Sequence, residues 1–234
     1  VSEVAASEAA SVRKLAPIFI LAGIALLAAP IFHPNNTCAD WLQKWGQLSQ
    51  NRLWVPTHQV ASIGLALAAA ATFLLPLAGP RDTWGYLGGA AYGAGCAISS
   101  MIVLIHATMV STIGHAYDLS NLAERRELLT VIATSYMSYD VAMTRVGATL
   151  IAVGSLSLGA YLYRIGLASK WMAAMLAILG TAWAAQHYPI LRRIPTPEFL
   201  PQVSLSLWMF GVTALLLFQR RVQAAPTPAP LTDA

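Results

Sequence analysis

LAPIFILAGIALLAAPIF, residues 15–32, is an apolar run of 18 residues that follows the basic pair Arg13-Lys14 and ends at His33-Pro34. As an α-helix it would rise about 27 Å at ~1.5 Å per residue, close to the ~30 Å of hydrocarbon in a bilayer. A secretory signal peptide also sets basic residues before an apolar stretch, but its apolar region is only about 7–15 residues long. The length of the run and its end at Pro34 favour a retained anchor.

The same reading repeats along the chain. Apolar stretches at about 15–33, 57–78, 84–110, 139–163, 171–191 and 203–218 predict six spans, each with charged residues near one end. Of the 234 residues, 57% are hydrophobic and 10% charged, against ~25% charged in a soluble domain, and mean hydropathy is +0.59. The expected fold is therefore all-α: a polytopic integral membrane protein built as a six-helix transmembrane bundle. Residues 1–12 read as a polar tail, 13–222 as a single transmembrane domain and 223–234, with Pro226, Pro228 and Pro230, as a disordered tail.

Two polar stretches carry helical spacing. Asp40 to Gln50, among Trp41, Trp45 and Trp54, is expected to lie along the lipid headgroups. Ala116 to Ser135, with Glu124-Arg125-Arg126-Glu127 ahead of Leu128, Leu129, Val131 and Ile132, is expected to form an amphipathic surface helix. Both belong to the side away from the termini. Gly85, Gly89, Gly93 and Ala97 recur every four residues in span three; such a ridge lets another helix approach closely and offers a contact for other membrane subunits. Cys38 and Cys96 are expected to be free thiols, one in a loop and one within a span.

Six spans bring the termini to one side. Basic residues number seven on each side: Arg13, Lys14, Arg81, Arg164, Lys170, Arg220 and Arg221 against Lys44, Arg52, Arg125, Arg126, Arg145, Arg192 and Arg193. The first span usually dominates orientation. Arg13-Lys14 before it, with no further basic residue until Lys44, puts both termini in the cytoplasm of a plasma-membrane, multi-pass protein of bacterial inner-membrane type.

Counting from the charged end of each span then gives depth. His33 lies 19 residues after Lys14, His58 23 before Arg81, His106 24 after Asp82, His187 17 after Lys170 and Arg145 19 before Arg164. These separations correspond to roughly 26 to 36 Å of helix. Four histidines and an arginine from five helices thus share one outward stratum, with His115 beyond it. Interfacial histidines are ordinary, because the polar tip reaches water. As a site, the stratum would take a metal or cofactor: neutral imidazoles suit copper, zinc, nickel or haem iron, with Asp40 or Asp140 as outer partners. His58 and His106, from consecutive antiparallel spans, form the leading pair, completed by His187 or His33. Met109 shares a helix face with His106 and would add a thioether for copper or iron. Arg145, with Tyr139 nearby, would neutralise an anionic group such as a propionate. Without Cys-x-x-Cys-His, any haem would be non-covalent haem b.

Other chemistries lack their residues. No carboxylate lies mid-span for ion-coupled transport, and no P-loop or paired-carboxylate pattern occurs. Ser99 and Ser100 read as small residues at a helix contact. The modest +4 charge forms no basic, aromatic-interleaved run, so nucleic acid is not an expected partner. Three classes of function remain: binding of haem, copper or a quinone at the outward layer for electron transfer or metal handling; a non-catalytic accessory or assembly subunit of a membrane complex; and a lipid- or isoprenoid-modifying enzyme. The first is the leading expectation.

Overall fold

A computed structural model describes residues 11–34, 41–118, 123–188 and 200–218. Cys38, Asp40, Arg192-Arg193, Arg220-Arg221, the tail 223–234 and residues 1–10 of the expected N-terminal tail lie outside them, as does the end of the fifth expected span. Seven helices lie wholly within the described residues: α1 (Ala16–Phe32), α2 (Trp41–Ser49), α3 (Trp54–Ala78), α4 (Thr83–Asp118), α5 (Ala123–Arg164), α6 (Lys170–Ala185) and α7 (Leu200–Phe218). The described residues contain no strand.

Close packing of small and apolar side chains holds the helices together. Contacts run α1 to α3, α3 to α4, α4 to α5, α5 to α6, α6 to α7 and α7 back to α1, so six helices close into a ring. Phe19, Tyr92, Ile151, Leu158 and Trp208 fill its centre, with the Trp208 ring stacked 4.4 Å from Tyr92 and 6.3 Å from Phe19. Four helices are long and apolar enough to cross a membrane: Ser11–Phe32, Trp54–Ala78, Thr83–Tyr117 and Ala123–Arg164. The apolar helices Lys170–Ala185 and Val203–Phe218 are shorter.

Close approach rests on small residues. A Cβ on Gly89 would lie 2.8 Å from the Thr72 carbonyl oxygen, and one on Gly85 would lie 3.1 Å from Pro76. The expected ridge therefore seats α3 of the same chain, and only Ala97 is exposed, so it is not a free docking surface for another subunit. A second small face escaped the reading: Gly88 and Gly95 meet Leu158, Gly147 and Ile151 of α5. Ser62 and Ser100 clasp α3 to α4, each hydroxyl donating to the other's carbonyl at 3.1 and 2.9 Å.

At one end of the ring the connections are tight. Asp82 caps α4 through the Trp84 N–H at 2.8 Å and accepts from Arg164 Nε at 3.0 Å. Gly166, at φ 72°, ends α5 in the left-handed conformation that a Cβ disfavours. Ser169 then caps α6 by accepting from the Met172 N–H.

The opposite end differs from expectation. α4 and α5, of 36 and 42 residues, extend about 54 and 63 Å, well past a ~30 Å hydrocarbon layer. Span three does not stop near 110, and the segment around Arg125 is the start of α5 rather than a separate surface helix. A change of polarity leaves the backbone hydrogen-bond ladder intact, and no proline interrupts either stretch. α2 lies across Gly114 of α4 and buries Leu42, Trp45 and Leu48. With Trp54, Val110, Ile113, Ala133 and Tyr136 these side chains form a second, smaller core. Trp45 and Trp54 are thus packed in protein instead of anchored among headgroups.

Candidate functional site

Two groups of polar side chains occupy the level where the ring meets this smaller core. The first surrounds a cavity of about 260 Å³ between α1, α3, α4, α5, α6 and α7. His33, His58 and His187 stand on its wall with Gln186, Thr57 and Thr144. Leu26, Leu65, Ile102, Val103 and Leu205 supply apolar walls, Trp183 an aromatic one, and Ser99 a hydroxyl. Among the described residues, no charged side chain lines it.

Local structure aims these groups. Trp54, at the first turn of α3, donates from Nε1 to the Ala107 carbonyl at 3.2 Å and packs 4.0 Å from the His58 ring one turn later, the two rings inclined by 50°. His58 Nδ1 lies 2.8 Å from the Trp54 carbonyl oxygen, which only accepts, so the proton sits on Nδ1 and Nε2 is left as an acceptor. His33 follows α1 directly, 5.3 Å from both the Trp54 and His58 rings. Thr57 donates to the Phe32 carbonyl and ties these two helix ends together. Pro30 removes the helical donor for the Leu26 carbonyl, and both residues line the cavity. From α6, the Gln186 amide donates to His187 Nε2 at 3.2 Å, and the His187 ring packs edge-on to Trp183 at 4.7 Å.

His33 is exposed at its helix end, yet desolvation by its neighbours lowers its pKa below the ordinary imidazole value, with His106 and Lys44 pushing the same way. Neutral imidazole is the form that accepts and donates a hydrogen bond at once.

The second group is centred on His106, which does not line the cavity. Its Nδ1 lies 3.5 Å from Asp140 Oδ2, and Tyr136 donates to Asp140 Oδ1 at 3.0 Å. Trp45, Trp54 and Tyr136 surround the ring at 6.3, 6.0 and 6.1 Å. The His58 ring is 6.0 Å away and inclined by 30°. The expected pair is adjacent, but the two residues do not face each other across one opening.

The remaining expected site residues have other partners. Met109 packs against the smaller core. Tyr139 is 50% exposed and does not line the cavity. Arg145 Nε donates to the His187 carbonyl at 3.1 Å; a cation there satisfies an orphan carbonyl at the α6 C-terminus. His115 is exposed, and Cys96 is buried and free. Among the described residues, no group of three or more His, Cys, Asp or Glu side chains is arranged to hold a metal ion. The expected copper set of His58, His106, His187, His33 and Met109 is therefore not assembled.

Sequence reading missed Ser99, Gln186, Trp183, Thr57 and Thr144. Gln186 and Trp183 had a legible signal, lying one and four residues from His187. Ser99 had none, since its neighbour Ser100 does serve a helix contact. Compared with known proteins, the chain matches no family model, no characterised sequence and no solved structure.

Proposed function

We propose that this chain is an integral membrane protein with six crossing helices that binds the ring headgroup of a membrane-soluble quinone in its outward cavity, as part of electron transfer. The observation that carries the reading is the cavity lining: three imidazoles and a carboxamide at one level, apolar and aromatic walls below, and no charged side chain among the described residues. Such a lining suits a neutral, flat ring whose polar atoms need hydrogen bonds and whose tail remains in lipid, because an ion buried there would lack a counter-charge. A cavity of about 260 Å³ falls just below the ~300–1,000 Å³ that encloses drug-sized ligands, which favours a small ring over a porphyrin. Six crossings are supported by α6, which starts at Lys170 beside the end of α5 and reaches Arg145 at His187, covering the same stretch of α5. Exposed Leu21, Ile24, Phe73, Met101, Val153 and Ile178 supply an apolar exterior suited to lipid.

Solvent extraction of the detergent-purified protein, with difference spectra of the extract before and after borohydride, tests the reading. The expected result is a stoichiometric quinone that disappears from His58→Ala and His187→Ala variants. A Soret band or stoichiometric metal in the protein, with no quinone in the extract, overturns it. A second reading, a subunit of a larger membrane assembly, is favoured by α5: beyond membrane length it still exposes Leu128, Val131 and Ile132.

A further inference from the structure

Ser99 is 4% exposed, and its hydroxyl is buried without a hydrogen-bond partner. An orphan hydroxyl in an apolar interior is unfavourable, and a native fold that keeps one calls for an explanation. Tyr92 Oη, Ser206 Oγ and Trp208 Nε1 are also buried without a partner, but none of the three lines the cavity; Ser62 and Ser100 satisfy each other, and Ser155 and Ser157 donate back to carbonyls of their own helix. Ser99 alone of these serines lines the cavity. Gly147 of α5 stands opposite, where a Cβ would lie 2.7 Å from the Ser99 oxygen, so the space beside that oxygen depends on a missing side chain.

Depth supplies the second half of the argument. Ser99 precedes His106 by seven residues on α4, and Leu65 follows His58 by seven on α3, while the His58 and His106 rings are level at 6.0 Å. Seven residues of helix are about 10 Å. The cavity thus has a histidine rim and, about 10 Å further into the bundle, a floor where Ser99 offers the unfilled hydroxyl. Two hydrogen bonds of about 2.8 Å each leave room between rim and floor for one six-membered ring.

We propose that Ser99 is the inner anchor of the ligand, donating to a polar atom at the far end of a ring whose opposite polar atom meets the imidazole rim. This rests on the quinone reading and narrows it to an uncharged ring with oxygens on opposite carbons, a para-quinone or its hydroquinone. Ligands with oxygen at one end only leave Ser99 unpaired and gain nothing from it.

Equilibrium titration of the full-length chain in nanodiscs, with a short-tailed para-benzoquinone and with a monoketone of the same ring size and tail, tests the assignment in wild type and Ser99→Ala. The expected result is a loss of about 5- to 10-fold in affinity for the para-quinone, the size of one hydrogen bond, with monoketone affinity unchanged. Ligand-free Ser99→Ala is expected to unfold at a higher temperature than wild type, because an unpaired buried hydroxyl has been removed; a purely structural serine would do the opposite. Equal para-quinone affinities in the two proteins, or a lowered unfolding temperature in the variant, overturn the assignment and leave the quinone reading intact. Failure of wild type to saturate with the para-quinone overturns both.

Discussion

His33 shows how environment redirects a single side chain. On the sequence it is one of four imidazoles at one level; in the fold it sits at the end of α1 against Trp54 and His58, with Lys44 and His106 also acting on it. Its pKa in the folded protein lies below the free value, which is ~6.5. The unfolded chain therefore binds the proton first as pH falls, and stability declines below about pH 6.5 until the folded imidazole also protonates. Above about pH 7 both states are neutral and the contribution vanishes. The thermal midpoint of the detergent-solubilised protein is expected to fall from pH 7 to pH 5 more steeply in wild type than in His33→Gln. Identical slopes would show that His33 titrates as if unfolded. Arg145 gives the complementary lesson: counting residues put it at the right depth, but its partner is a carbonyl 42 residues away in sequence.

Among the elements, α4 carries the clearest test, because its small residues face two neighbours at once. Gly89 sits against the α3 backbone, whereas Ala97 is exposed on the same helix. Gly89→Leu forces atoms into a filled contact, for which overpacking costs of about 1–3 kcal/mol are usual and larger ones are known. Ala97→Leu adds an apolar side chain to an exposed position and is expected to leave stability within about 0.5 kcal/mol. Unfolding of both variants in mild detergent, monitored by far-UV circular dichroism, checks the contrast. Equal tolerance would mean that the ridge does not seat α3. The same element shows why helix length was not legible from the span: the polar residues from Ala116 onward change what surrounds the helix without ending it.

For the molecule as a whole, the arrangement is a closed ring of six helices with a smaller core on one end, formed by α2 and the extensions of α4 and α5. Sided labelling in vesicles tests whether α6 crosses with the longer helices. In a Cys38→Ser background, where Cys96 is buried and expected to be unreactive, Arg81→Cys is expected to label from one side of the membrane. Asn51→Cys and Tyr188→Cys are expected to label from the other. Labelling of Tyr188→Cys from the Arg81 side would mean that α6 turns back within the bilayer and that fewer than six helices cross.

Sequence alone determined the helical class, the apolar exterior and the shared level of His33, His58, His106 and His187 along the bundle. Each follows from local quantities: hydrophobic run length, helix rise and charged ends. Rotation about each helix axis was not legible, because a histidine in an apolar run has the same depth whichever way it faces. Tertiary packing decided that His33, His58 and His187 open onto one cavity while His106 turns to Asp140 and Tyr136. It also turned the glycine ridge inward onto α3 and left Ser99 unpaired at the cavity floor. Those outcomes depend on which faces of six helices meet, and close packing in a ring settles that collectively.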